Sequence, residues 1–297
     1  ELERIARAYS EAISPLIGEK IDIPAPDVNT NGKIMSWMVD AYENVVKHSA
    51  PGVFTGKPVE FGGSLARTEA TGYGVNFAAV QALEKLGKDV KGATYAIQGF
   101  GNVGYHTGYY AHKSGAKVVA VSTVDVAIYN ENGLDMEALF KEYQEKGFIT
   151  NEAGYGKEIS NAELLALDVD VLAPCALENQ LTSENAGKVR AKIVVEGANG
   201  PTTPEADIIL RQNGVLVVPD ILANCGGVVV SYFEWVQNLQ GYYWEFDEVQ
   251  EKETVVLRRA FRDIWNLAQE YDVDLRTASY MMSIRRVEKA MKLRGWY

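Results

Sequence analysis

Hydrophobic positions recur at helical spacing through the first part of the chain. Leu2, Ile5, Ala6, Ala12, Ile13 and Leu16 predict one amphipathic helix over the opening seventeen residues, stopped at Gly18. The pattern lapses between Asp22 and Gly32, where Pro24 and Pro26 fix φ and predict an extended, turn-rich path. Helical spacing resumes over 34–48, and a Gly/Pro-rich stretch from Pro51 to Gly63 is expected to be a hinge or boundary. From about residue 68 short apolar runs alternate with helical segments. A helix over about 69–86 precedes the strand Thr94–Gln98, and a helix over about 103–114 precedes the strand Lys117–Val121. Val169–Ala173, Lys192–Val195 and Val215–Val218 are further strands with helical segments between them. Beyond about residue 222 the spacing is helical to the end, including helices over about 247–270 and 275–293. Apolar strands separated by helices imply a parallel sheet covered on both faces.

One loop in that pattern carries chemistry. Gly99-Phe100-Gly101-Asn102-Val103-Gly104 reads G-x-G-x-x-G, with a strand before it and a helix and second strand after it. Gly99 permits the tight turn, and Gly101 lets the backbone approach a pyrophosphate. Gly104 lets the helix pack close to the sheet, and that helix's N-terminus offers N–H groups to the anion. The fold class expected is therefore α/β: a Rossmann-type, doubly wound, mostly parallel sheet with C-terminal helices and a partial second domain. An acidic residue should end the second strand and bind the ribose. Ser122-Thr123-Val124 stand there instead, and the first acid is Asp125. Thr123 is the candidate ribose contact. A hydroxyl serves a ribose or its 2′-phosphate, so NAD and NADP both remain open.

Composition narrows the classes. With 47% hydrophobic and 23% charged residues the chain builds a core and is neither disordered nor fibrous. Its 29 basic and 40 acidic residues give −11, which argues against nucleic acid or an anionic membrane as partner. No uncharged apolar run approaches the ~18 residues of a membrane span, and Glu1-Leu2-Glu3-Arg4 is no signal peptide. Two cysteines, Cys175 and Cys225, argue against a disulfide scaffold or zinc cluster and are expected as small buried fillers. His48, His106 and His112 lack ligand spacing, so no metal is expected. A cytoplasmic setting is the expectation.

Several blocks together resemble the glutamate dehydrogenase family of amino-acid dehydrogenases. They are Pro24-Ala-Pro-Asp27-Val-Asn-Thr30, Thr55–Pro58, Glu69–Gly72, Gly99–Gly104, Val195–Glu205, Pro219–Asn224 and Val230–Asn238, in family order. The resemblance implies NAD or NADP as cofactor, glutamate, 2-oxoglutarate and ammonia as reactants, and a commonly homohexameric assembly. It implies three regions: 1–50 as a remnant of the substrate domain, 51–240 as the dinucleotide-binding domain, and 241–297 as helices bracing the cleft. Family members carry an upstream G-G-x-K segment whose lysines grip the substrate carboxylates. Neither Gly62-Gly63 nor Gly226-Gly227 is closely followed by lysine, so the chain is expected to be the nucleotide-binding half with a truncated substrate domain.

Residue by residue, Asp27 matches the family aspartate that moves protons in oxidative deamination; a turn or helix-cap role is the alternative. Thr71 matches the threonine beside the nicotinamide amide, or is an ordinary solvent-facing helix residue. Asn102 and Val103 are expected at the pyrophosphate and adenosine. Ala176 and Asn199 follow strands, at the carboxyl edge where open α/β sheets bind ligands. Asn199 is alternatively a turn residue, and Asn224 either a cofactor contact or an N-cap opening a helix. Ser231 matches the serine at the substrate side-chain carboxylate, with Val228 one turn earlier, and is otherwise a back-bonded hydroxyl. A hydroxyl suits a carboxylate better than an apolar group, which favours glutamate over branched-chain or aromatic substrates. A dinucleotide-binding module without turnover is the competing class, and if the chain turns over alone, Lys57 or Arg67 must do the lysines' work. The aromatic stretch Gly241–Phe246 is expected to be core or interface.

Overall fold

Tyr95, Ala96 and Ile97 are covered on both faces, which places β1 (Thr94–Gln98) in the middle of a sheet. The computed structural model describes residues 1–27 and 29–296; Val28, within the Pro24–Thr30 block, and Tyr297 lie outside the described residues. Among these, the sheet has seven strands in the order β4-β3-β2-β1-β5-β6-β7. They are β1, β2 (Lys117–Ser122), β3 (Ala127–Tyr129), β4 (Lys157–Ile159), β5 (Val171–Pro174), β6 (Ile193–Val195) and β7 (Leu216–Val218). β2, β1, β5, β6 and β7 run parallel, whereas β3 and β4 add an antiparallel edge. The segment between residues 121 and 169, expected to be helical, thus also contains two strands of three residues. The fold is the doubly wound, mostly parallel α/β sheet that the glycine turn implied.

The helices are α1 (Leu2–Ile13), α2 (Gly32–Val46), α3 (Ala70–Lys85), α4 (Asn102–Lys113), α5 (Met136–Lys146), α6 (Asn161–Leu165), α7 (Pro204–Gln212), α8 (Asp220–Ala223), α9 (Gly226–Gln240), α10 (Phe246–Tyr271) and α11 (Leu275–Leu293). Two compact units emerge. One holds Glu1–Ala70 and Gly227–Glu253, the other Thr71–Gly226 and residues from Thr254 onward. The crossings at 70/71, 226/227 and 253/254 fall inside α3, α9 and α10. These bounds differ from the sequence-derived divisions at 50 and 240, because helical spacing carries no mark where one helix serves two cores.

In the second unit, strand alternation divides the core into two layers. Tyr95, Ile97 and Val121 pack with Leu83 of α3, Leu139 of α5, Phe261 of α10 and Ala278 of α11. Ala96, Leu172 and Val194 face the other way, against Leu164 and Leu165 of α6 and Leu210 of α7. The order reverses at β1, with β2 on one side and β5 on the other, so the carboxyl ends of β1 and β5 form the switch point where such sheets bind ligands.

In the first unit, Met35, Val39 and Tyr42 of α2 pack with Ala6 of α1 and with Val53 and Phe54. The Pro51–Gly63 stretch is therefore packed rather than a free linker: Val53 and Phe54 are fully buried. Lys57 Nζ pairs with Glu234 Oε1 and donates to the Phe54 carbonyl, each at 2.6 Å, with both charged side chains fully buried. The Gly56 and Lys57 N–H groups also donate to Glu234. That buried charge pair, spanning α9 and the turn, converts an expected hinge into a fixed element.

A Cβ added at Gly104 would lie 1.8 Å from the Gly99 carbonyl oxygen, whereas one at Gly101 meets nothing within 4 Å. Gly104→Ala is therefore expected to destabilise the fold by about 3 kcal/mol or more, while Gly101→Ala costs within ~1 kcal/mol. Urea unfolding monitored by circular dichroism measures both; equal costs would mean that α4 does not depend on the close approach at Gly104.

Candidate functional site

The glycine turn links β1 to α4 through Gly99 in a left-handed conformation (φ +85°), which residues with a Cβ rarely adopt. A Cβ there would also come within 2.7–2.8 Å of Ala176. Gly101 is the N-cap of α4 and has no side chain to cap the first turn; Tyr105 N–H is bonded back to the Gly101 carbonyl at 2.8 Å. The start of α4 thus presents backbone N–H groups and positive dipole towards open space beside an exposed Gly101. Asn102 is exposed and Val103 half-buried. Gly72 lets α3 cross α4 closely, since a Cβ there would lie 2.7 Å from the Val103 carbonyl oxygen. Thr71, beside it, is half-buried rather than solvent-facing.

The same edge gathers the loops after β2, β5 and β6. Ser122 Oγ accepts the Gly99 N–H at 3.2 Å, fixing the turn from the next strand. Thr123 Oγ1 accepts the N–H groups of Asp125 and Val126 and belongs to a local turn, while Asp125 is exposed. A Cβ at Gly197 would lie 2.5 Å from Cys175 Sγ and 3.2 Å from Val103 Cγ1, so these loops close tightly around the start of α4. Asn199 Oδ1 accepts from Asn224 Nδ2 at 2.6 Å, and the same Nδ2 reaches the Gly197 carbonyl at 3.3 Å. Two candidates chosen separately from the sequence are thus one hydrogen-bonded pair. Asn224 closes α8 as its C-cap instead of opening a helix, because α9 begins at Gly226. Cys175 and Cys225 are half-buried at this edge, not fully buried fillers, and burial holds the Cys175 thiol well above its ordinary pKa.

The substrate candidates lie in the first unit. Asp27 sits exposed on its proline loop, its N–H donating to Thr30 Oγ1 at 2.6 Å and its carbonyl accepting from Thr30. The N-cap of α2 is Asn31, whose side chain accepts the Ile34 N–H, so Asp27 does not cap that helix. Gly56 leaves room for Pro26, and Thr55 N–H donates to the Pro24 carbonyl, which stiffens the loop. On α9, Ser231 is buried and accepts from Arg67 Nε at 2.8 Å, a partner other than the back-bonding expected of mid-helix serine. Val228, three residues earlier, is 67% exposed. Trp244 and Phe246 pack with Phe233, which puts that part of the aromatic stretch in a core cluster, while Tyr242 and Tyr243 stay exposed.

Glu253 was missed from sequence. It is fully buried, and neither carboxyl oxygen has a hydrogen-bond partner among the described residues. Burial, and the nearby Glu69, push its pKa up to about 9 against the opposing pull of Arg67. Its position within the highly charged segment Asp247–Glu253 hides it. Among the described residues no cluster of His, Cys, Asp and Glu is placed to hold a metal ion, and no helix is long and apolar enough to cross a membrane.

Comparison with known proteins adds lineage to this geometry. Residues 62–295 match the family model Glutamate/Leucine/Phenylalanine/Valine dehydrogenase, and residues 1–44 match the Glu/Leu/Phe/Val dehydrogenase dimerisation domain. The chain is 55% identical over 302 residues to the NAD-specific glutamate dehydrogenase of Clostridioides difficile, covering all of itself and 72% of that protein. It is 51% identical to the glutamate dehydrogenase of Thermotoga maritima, covering 71% of it. Among solved structures, the hetero-hexameric glutamate dehydrogenase of Thermus thermophilus in its Leu-bound form matches with a TM-score of 0.94 at 35% identity, over the whole of this chain and 70% of that one.

Glu253 makes stability depend on pH. Its folded pKa lies above the ordinary value of 4.5, so the folded state holds a proton that the unfolded state releases, and its contribution falls as pH rises from about 4.5 towards about 9. Glu253→Gln is expected to raise the Tm at pH ~8.5 and to have little effect near pH ~4.5, because neutral Gln replaces a group forced to stay neutral. Differential scanning calorimetry at both pH values checks this; a variant less stable at the higher pH would show that the ionised carboxylate is needed.

Proposed function

Because the chain belongs to the glutamate/leucine/phenylalanine/valine dehydrogenase family of oxidoreductases, we propose that it serves the NAD-linked oxidative deamination of L-glutamate to 2-oxoglutarate and ammonia. The observation that carries the choice of substrate is the Arg67–Ser231 pair. A guanidinium and a hydroxyl joined in a largely buried setting suit a carboxylate and would leave polar groups unsatisfied beside a leucine, valine or phenylalanine side chain. The named relatives are glutamate dehydrogenases, which supports the same reading.

The residues at the glycine turn fit a dinucleotide. Gly101 leaves space that a Cβ would fill, the α4 N-terminus supplies donors for a pyrophosphate, and the Asn199–Asn224 pair offers amides at the nicotinamide side. Thr71 and Ala176 complete that side, and Asn102 and Val103 the pyrophosphate side. Thr123 keeps its hydroxyl in a turn beside exposed Asp125, a setting that disfavours an added 2′-phosphate and supports NAD over NADP. The bound nicotinamide ring would take a hydride from the substrate Cα. The proton transfers for the hydration and loss of ammonia that follow are assigned to Asp27, on its stiffened loop. Val228 and Ser231 border the substrate side chain. Leu2, Ile5 and Tyr9 of α1, each more than half exposed, support a homo-oligomeric assembly through the segment that matches the dimerisation domain.

Binding and turnover are proposed to be separable within these 297 residues. Lys57 is locked to Glu234 and cannot replace the family's substrate lysines, which leaves Arg67 as the cation beside Ser231. The chain is expected to bind NAD while glutamate-dependent NAD reduction stays near background. Strong oxidation by the chain alone would show that Arg67 suffices. Gly101→Val is expected to lower NAD affinity at least about tenfold, or ~1.4 kcal/mol, in a folded protein. Calorimetric titration measures this, and unchanged affinity would put the cofactor elsewhere.

A further inference from the structure

A single side chain of the C-terminal helix ties together both halves of the Asn199–Asn224 edge. Arg276, in the first turn of α11, donates from Nη2 to Glu196 Oε1 and from Nε to Asp207 Oδ2, each at 2.6 Å. Its Nη1 reaches Asp220 Oδ1 at 3.5 Å. Glu196 follows β6 and is fully buried; its second oxygen, Oε2, accepts the Asp220 N–H at 2.8 Å. Asp220 opens α8, and its Oδ2 accepts the Gly200 N–H at 2.8 Å while its carbonyl accepts the Asn224 N–H at 3.0 Å. The loop carrying Asn199 and the helix ending at Asn224 are therefore both anchored, through two carboxylates, to one guanidinium.

The arrangement is more elaborate than packing requires. α11 packs against β7 and α8, contacts that apolar side chains could supply. A buried carboxylate such as Glu196 is costly unless paired and hydrogen-bonded, and its pairing here is multiple and directional. Burial opposes the charge on Arg276, but the hydrogen bonds and attraction of Glu196 and Asp207 outweigh it and hold the guanidinium protonated. No residue of this network belongs to the β1–α4–β2 segment that carries the glycine turn. The two ends of the cofactor site are thus held by different interactions.

We propose that Arg276 is a positioning residue for the dinucleotide, setting the Asn199–Asn224 pair through Glu196 and Asp220. The proposal rests on the reading of that pair as the nicotinamide side. It predicts a selective defect: loss of Arg276 weakens binding of the whole dinucleotide but not of the fragment that engages the glycine turn.

The test compares NADH with ADP, titrated into the folded chain by calorimetry, for Arg276→Gln, Arg276→Lys and Asn224→Ala. Arg276→Gln is expected to lower NADH affinity about tenfold and to leave ADP affinity within about twofold, with Arg276→Lys intermediate because an ammonium cannot serve three carboxylates. If Arg276→Gln does not fold, Arg276→Lys carries the test. Equal losses for NADH and ADP would make Arg276 a general structural brace, and no loss for either would remove its role; both overturn the proposal. Asn224→Ala separates the two levels. If it weakens NADH while the Arg276 variants do not, the positioning role fails and the reading of the edge stands. If Asn224→Ala also leaves NADH unaffected, the reading of the edge fails with it.

Discussion

Helix α4 begins where it does because nothing larger than hydrogen separates Gly104 from the Gly99 carbonyl. That approach pins the positive end of the helix to the carboxyl end of the central strand, at the point where the sheet changes winding direction. The surrounding contacts are built to the same tolerance. Gly72 admits α3 against α4, Gly197 admits Cys175 and Val103, and Gly99 turns against Ala176. Four glycines from three stretches of chain, Gly72, Gly99 with Gly104, and Gly197, admit these close approaches, while a Cβ at Gly101 would face open space. The geometry of the glycine turn follows from this packing constraint more than from any single side chain.

Charge is managed locally in a chain of net −11. Lys57 and Glu234 neutralise each other in the interior of the first unit. Arg276 joins three carboxylates in the second. Arg67, by contrast, makes its hydrogen bond to a neutral serine, and the buried acid near it is held protonated by its surroundings. Glu234 also acts on Arg67, more strongly than Glu253 does, while burial opposes the charge on the guanidinium.

The parts of this design that are local in sequence are legible there. The strands at Thr94 and Lys117, the glycine turn between them and the proline loop around Asp27 announce themselves by period and by turn residues. β3 and β4 do not, because three residues are too few to show a period and they exist as strands through pairing, Ala127 with Ile159 and Tyr129 with Lys157. Asn224 reads as a helix start because the break between α8 and α9 spans only two residues. The ion pairs are hidden for a different reason: Lys57 and Glu234 are 177 residues apart in sequence, and Arg276 and Glu196 are 80 apart. The family resemblance supplies candidate roles for Asp27, Thr71 and Ser231, but it says nothing of Arg67 as the partner of Ser231 or of Glu253 as a buried neutral acid.

The carboxyl edge of β1, β5 and β6 is proposed as the cofactor surface. Hydrogen–deuterium exchange of the chain with and without NAD tests it directly, because the amides at the start of α4 have no intrahelical carbonyl to bond. Slowed exchange is expected within Gly99–Gly104 and in the loops bearing Asn199 and Asn224. Protection absent there and confined to another surface, such as the groove between Asp263 and Leu267 of α10 and Arg285, Arg286 and Lys289 of α11, would show that the cofactor binds elsewhere.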